Sequence, residues 1–138
     1  MPFFFQVETI RAILKKELNL PVYEIADSRA CLDGGDVLFT GREFFVGISN
    51  RTNERGAMAL ASAFPEYPVT PIRVPSKFLH LKSCISMAGP DILCISSSPE
   101  ARDVLRVSAM GFPIAISLST PIAFFLLYSQ EIGKRSHI

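Results

Sequence analysis

Apolar residues recur at helical spacing near the start of the chain, at Ile10, Ile13, Leu14 and Leu18, with Lys15, Lys16 and Glu17 interleaved. This spacing predicts a helix over Glu8–Leu18, ended by Asn19 and Pro21. Pro21–Ile25 then reads as a short strand. The cluster Asp33-Gly34-Gly35-Asp36 is a loop whose glycines permit unusual backbone angles. Val37–Thr40 and Glu43–Ile48 are β-rich runs hinged at Gly41 and are expected to be adjacent strands. A helix over Asn53–Ala63 follows, with Thr52 as a candidate N-cap. Val69–Val74 is strand-like, and Pro68 and Pro71 push it toward a sheet edge, because proline cannot donate to a ladder. His80–Ser86 and Asp91–Ser96 form a second pair of strand-like runs. Ser98-Pro99-Glu100 combines a cap, a first-turn proline and an acid at the positive helix end. Ala101, Val104, Leu105 and Ala109 give the helix that follows its apolar stripe.

The pattern is strand–strand–helix–strand, then strand–strand–helix, an α/β repeat with a period of about 45 residues. Units of this length stack, each burying a face against the next. On this reading the second unit lacks its closing strand, and the chain divides into a repeat region, residues 1–108, and a divergent apolar tail, residues 109–138. The stretch Val107–Gln130 carries no charge and is long enough to cross a bilayer. Pro113, Pro121 and the serines and threonines weigh against a spanning helix, so a non-membrane tail is expected.

Composition narrows the function. Fourteen basic and 13 acidic residues leave a net charge of +1, and the basic residues are scattered, so no nucleic-acid partner is expected. Cys31, Cys84 and Cys94 form no CxxC pair, and neither histidine stands at a zinc-ligand spacing from them. That usage fits a reducing compartment, with neither metal nor cofactor expected. The N-terminus places its apolar run before its basic residues, the reverse of a secretory signal, so a cytoplasmic protein is expected.

The block LDGGDVLFTGREFFVG at Leu32–Gly47, followed by ISNRTNERGA and LHLKSCISMAGP, resembles the central part of the dimethylarginine dimethylaminohydrolases. These belong to the guanidine-modifying enzymes that include the arginine deiminases. The resemblance runs from about Glu8 to about Val107. It implies a five-bladed α/β propeller, the pentein fold, of which about two ββαβ blades are present, so the expected fold is an incomplete propeller. It also implies hydrolysis of a methylated arginine to citrulline and dimethylamine through a cysteine thiolate, with a histidine moving protons. Carboxylates would grip the guanidinium and arginines the substrate carboxylate.

The resemblance assigns Asp33 to contacting the guanidinium or orienting the histidine, Arg51 to the substrate carboxylate, and His80 to proton transfer. Plainer readings stand beside these. An aspartate before glycine often closes an Asx turn, Arg51 could be a surface charge at a helix start, and His80 a structural histidine. Asp36 and Arg42 are expected to be structural, paired near the hairpin, and His137 inert. The family's nucleophilic cysteine follows its last blade, and no segment of Val107–Ile138 resembles that region. Cys84 is four residues beyond His80; on an extended strand that is about 13 Å, too far to activate a thiolate. Cys94 reads as a small buried hydrophobe. The chain is therefore expected not to hydrolyse dimethylarginine alone, and, with unpaired edges, to be marginally stable. A non-catalytic binding or regulatory role, or membrane attachment through residues 107–130, are the competing expectations.

Overall fold

The computed structural model describes residues 3–90, 92–108 and 114–118. Two three-stranded sheets carry the fold, with strand orders β1-β2-β3 and β4-β5-β6. In the first, β1 (Val37–Phe39) pairs antiparallel with β2 (Phe44–Ile48), and β3 (Val69–Arg73) runs parallel to β2 after helix α2 (Glu54–Ala63). In the second, β4 (Ile85–Gly89) pairs antiparallel with β5 (Ile92–Ser96), and β6 (Ile114–Leu118) runs parallel to β5 after α3 (Pro99–Ser108). Each half is thus a ββαβ unit. The turn between β1 and β2 is held by the Thr40 amide donating to the Glu43 carbonyl at 2.9 Å, with Gly41 at φ 94°, a left-handed angle that suits glycine. As Pro68 and Pro71 foretell, β3 takes the sheet edge.

Several expectations are corrected. The second unit does receive its closing strand: Ile114–Leu118, β-branched in part and bounded by Pro113 and Ser119-Thr120-Pro121, pairs along the whole of β5. The N-terminal helix begins earlier than Glu8, with α1 at Phe3–Ala12 and a π-helical continuation over Ile13–Glu17. It ends at Leu18, where the amide bonds to the Ile13 carbonyl, and Asn19 turns the chain at φ 49°. Pro21–Ile25 forms no strand. It passes between α1 and α2, where Glu24 pairs with Arg11 and Lys15 and Tyr23 packs on Phe64. The run from His80 opens in a 3-10 turn at Leu81–Ser83, so β4 starts only at Ile85. Helix α2 is capped by Asn53, whose Oδ1 accepts from the Gly56 amide at 2.9 Å, because the Thr52 hydroxyl is engaged elsewhere. Helix α3 keeps its foreseen cap, with the Ala101 amide donating to Ser98 Oγ at 3.3 Å.

The first sheet packs one face on α2 through Phe44, Val46 and Ala57, extended by Leu32, Leu60, Phe64 and Tyr67. Phe39, Phe44, Phe64 and Tyr67 interlock here as tilted and edge-on rings, with centroids 4.6–5.8 Å apart. A second core lies between the two units. Leu38, Phe45, Ile72 and Val74 from the first meet Leu81, Ile85, Leu93, Ile95, Ala101 and Val104 from the second. Among the described residues no helix is long and apolar enough to cross a membrane. Outside strand β6, residues 109–138, the Lys134-Arg135 pair and His137 lie outside the described residues, as does most of the membrane reading of 107–130.

Candidate functional site

Asp33, His80 and Arg51 sit on three loops that converge where the units meet. The Asp33 backbone is extended (φ −106°), and its Oδ1 accepts from the Gly35 amide at 3.0 Å, so the residue does close the Asx turn that its sequence context suggests. The turn leaves Oδ2 pointing at the second unit, where it lies 3.2 Å from His80 Nε2. That contact is close but off the line of a hydrogen bond, and this buried nitrogen has no aligned partner among the described residues. Its character is therefore that of a charge pair formed when the imidazole is protonated. The His80 ring stacks on Gly35: a Cβ built there would stand 2.6–2.9 Å from three ring atoms. Gly35 thus serves the site by having no side chain.

The Asp33 carboxyl is held below its ordinary value, first by the Gly35 amide, then by His80, and also by the positive charge of Arg51. The structure therefore brings Asp33 and His80 into contact and sets Arg51 near enough to act on Asp33 through its charge. The Arg51 side chain is exposed, and its own amide donates to Ser49 Oγ at 3.0 Å. A separate cleft of about 920 Å³ is lined by residues of β3 and α3, among them Ile72 and Val104, and not by Asp33, Arg51 or His80.

Asp36, expected to be structural, is so, but its partners are not those of a hairpin. It is fully buried and accepts from Ser49 Oγ and Thr52 Oγ1, both at 2.7 Å, and from the Leu81 amide at 2.9 Å. Sequence reasoning missed Gly35, Ser49 and Thr52. The available signal was an aspartate at the mouth of the apolar run Val37–Phe39, since a carboxylate buried there needs donors from elsewhere.

The thiols divide clearly. Cys84 is buried, and burial pushes its thiol up to about 11; burial pushes Cys94 up as well. His80–Cys84 is a 3-10 turn and not the extended strand expected from the sequence, so the two side chains are not held a strand's length of about 13 Å apart. Burial disqualifies Cys84 instead. Cys31 is exposed. Treating the folded chain with a thiol reagent near pH 8 should modify Cys31 rapidly, and Cys84 and Cys94 only after unfolding. Mass mapping that found Cys84 labelled at the rate of Cys31 would refute this burial.

No family model matches the chain. Over 107 residues it is 43% identical to a human protein named DDAH2, across 76% of this chain and 36% of that protein. Over 69 residues it is 45% identical to the N(G),N(G)-dimethylarginine dimethylaminohydrolase of Streptomyces coelicolor, across 49% of this chain and 26% of the relative. The chain spans about a third of the length of the human and bovine relatives it matches. Among solved structures, DDAH from Pseudomonas aeruginosa complexed with citrulline superposes with a TM-score of 0.61 at 24% identity, over 81% of this chain and 42% of that one. The N-terminal domain of ArgZ, a cyanobacterial arginine dihydrolase bound to product, gives 0.68 at 18% identity, over 94% and 56%. The fold is that of the penteins, present in part.

Proposed function

We propose that this chain, a partial relative of the dimethylarginine dimethylaminohydrolases with a partial pentein fold, carries the proton-transfer and carboxylate-binding side of a hydrolase site for methylated arginine. The contact of Asp33 with His80, inside the sequence blocks that resemble the family, carries the reading. The reaction converts dimethylarginine and water to citrulline and dimethylamine. In it His80 moves protons at the guanidinium carbon's attacking and leaving groups. Asp33 fixes the ring's orientation and stabilises the imidazolium. Arg51 pairs with the substrate carboxylate, a planar partner that guanidinium suits.

The attacking sulfur is not supplied by Cys84 or Cys94, both buried with raised thiols. The Cys31 thiol is exposed, and its backbone is held at the cap of α2, where its amide donates to Asn53 Oδ1 at 3.0 Å. The chain alone is therefore expected to bind dimethylarginine without turning it over. Titrating the purified chain with NG,NG-dimethyl-L-arginine should give saturable NMR shifts at His80 and Arg51, with affinity reduced about tenfold in Arg51→Ala. Citrulline release abolished by His80→Ala would overturn the inactivity, and an absence of saturable shifts would overturn the site. A cytoplasmic location and a divergent tail belong to the same reading, with the tail beginning after β6 and not at residue 109, because Ile114–Leu118 pairs with β5. They are supported by the cysteine usage and by the point where the resemblance ends.

A further inference from the structure

We infer that Asp36 is a positioning residue that sets the three site loops in register. The inference rests on reading Asp33, Arg51 and His80 as the site. Asp36 Oδ1 accepts the amide of Leu81, the residue that follows His80. Asp36 Oδ2 accepts the hydroxyls of Ser49 and Thr52, which flank the Arg51 turn. Those hydroxyls in turn accept the site residues' own amides: Arg51 N–H bonds to Ser49 Oγ and Asp33 N–H to Thr52 Oγ1, both at 3.0 Å. The circle closes where the Asp36 amide donates to the Asp33 carbonyl at 2.9 Å. Each of the three loops is therefore within two hydrogen bonds of one buried carboxylate.

The surroundings make room for this carboxylate. A Cβ on Gly47 would stand 2.8 Å from Asp36 Oδ1, so glycine at that point of β2 lets the side chain reach Leu81. Pure packing does not call for such a group, because a carboxylate placed in an apolar core is costly unless its lone pairs are taken up. Here four lone-pair sites meet three donors, two of them side-chain hydroxyls poised to relay the bond to a backbone amide. Asp36 touches none of the substrate-facing groups and acts on them through their backbones.

The test uses the full chain and four variants. Asp36→Asn turns one acceptor oxygen into a donor, so three donors can no longer all be accepted. Thr52→Val removes one relay and Thr52→Ser keeps it. Ile95→Val lowers stability from a buried place on β5 and serves as the control. Affinity for NG,NG-dimethyl-L-arginine should fall about tenfold or more in Asp36→Asn and Thr52→Val, and hold in Thr52→Ser and Ile95→Val. Amide exchange in Asp36→Asn should quicken at Asp33, Arg51 and Leu81 together, relative to Leu93 and Ile95 in β5. An affinity loss no larger than that of Ile95→Val, or exchange altered only at residues 35–37, would overturn the role. If the parent chain binds no ligand, the functional reading fails. Asp36 is then decided by exchange alone: a joint response supports it and a local one refutes it.

Discussion

Replacing Gly56 with alanine should destabilise the chain by about 3 kcal/mol, although alanine is the better helix former. Propensity alone would favour alanine within a helix by about 1 kcal/mol. Space decides otherwise. The added Cβ would stand 2.0 Å from the Cys31 carbonyl oxygen and 2.7 Å from its carbon, both backbone atoms that no rotamer change can move. Helix α2 would have to lift from the Cys31–Leu32 segment, and its cap would go with it. Asn53 Oδ1 accepts both the Cys31 and Gly56 amides, Asn53 Nδ2 donates to the Arg29 carbonyl, and the Asn53 amide donates to the Cys31 carbonyl. Urea unfolding should show a lower midpoint with an unchanged slope. A midpoint equal to or above that of the parent chain would mean that α2 shifts at no cost, contrary to this packing.

Leu81→Ala should cost about 2–5 kcal/mol. Leu81 is completely buried and sits in the core shared by both units, against residues that a smaller side chain leaves uncontacted. A domain of this kind holds about 5–15 kcal/mol in all, so the variant should lie near its unfolding midpoint at moderate temperature. The Leu81 amide survives the change, and its bond to Asp36 with it. The loss is thus one of packing, separable from the loop register that Asp36 sets. A thermal midpoint within a degree or two of the parent would show that the core between the units is loose, and the packing described here would be wrong.

Much of this architecture is legible because the signals are local. The β1–β2 hairpin follows from two β-rich runs around Gly41, the edge position of β3 from Pro68 and Pro71, and the start of α3 from Ser98-Pro99-Glu100. What fails depends on distant partners. Pro21–Ile25 has a strand's composition but is taken up by helix contacts, Glu24 with Arg11 and Tyr23 with Phe64, and Ile114–Leu118 is hidden in a long uncharged stretch that reads as one feature until β5 divides it. The turn after His80 is set by the Leu81 amide reaching Asp36, a bond spanning 45 residues that no window of sequence displays. The site divides in the same way. Asp33, Arg51 and His80 are found through motif likeness, whereas Asp36, Ser49 and Thr52 emerge only once the loops are folded together.

The seam between the two sheets has a consequence for how such a chain can be cut or borrowed. Helix α3 of the second unit leans on β3 of the first, and buried side chains from both units make up a single cluster. Neither half therefore owns a complete apolar interior. A proteolytic nick between Arg73 and Leu81 should release no stable miniature domain, and a graft of one half onto another scaffold would have to bring a substitute for the other's face. The smallest portable piece of this protein is the pair.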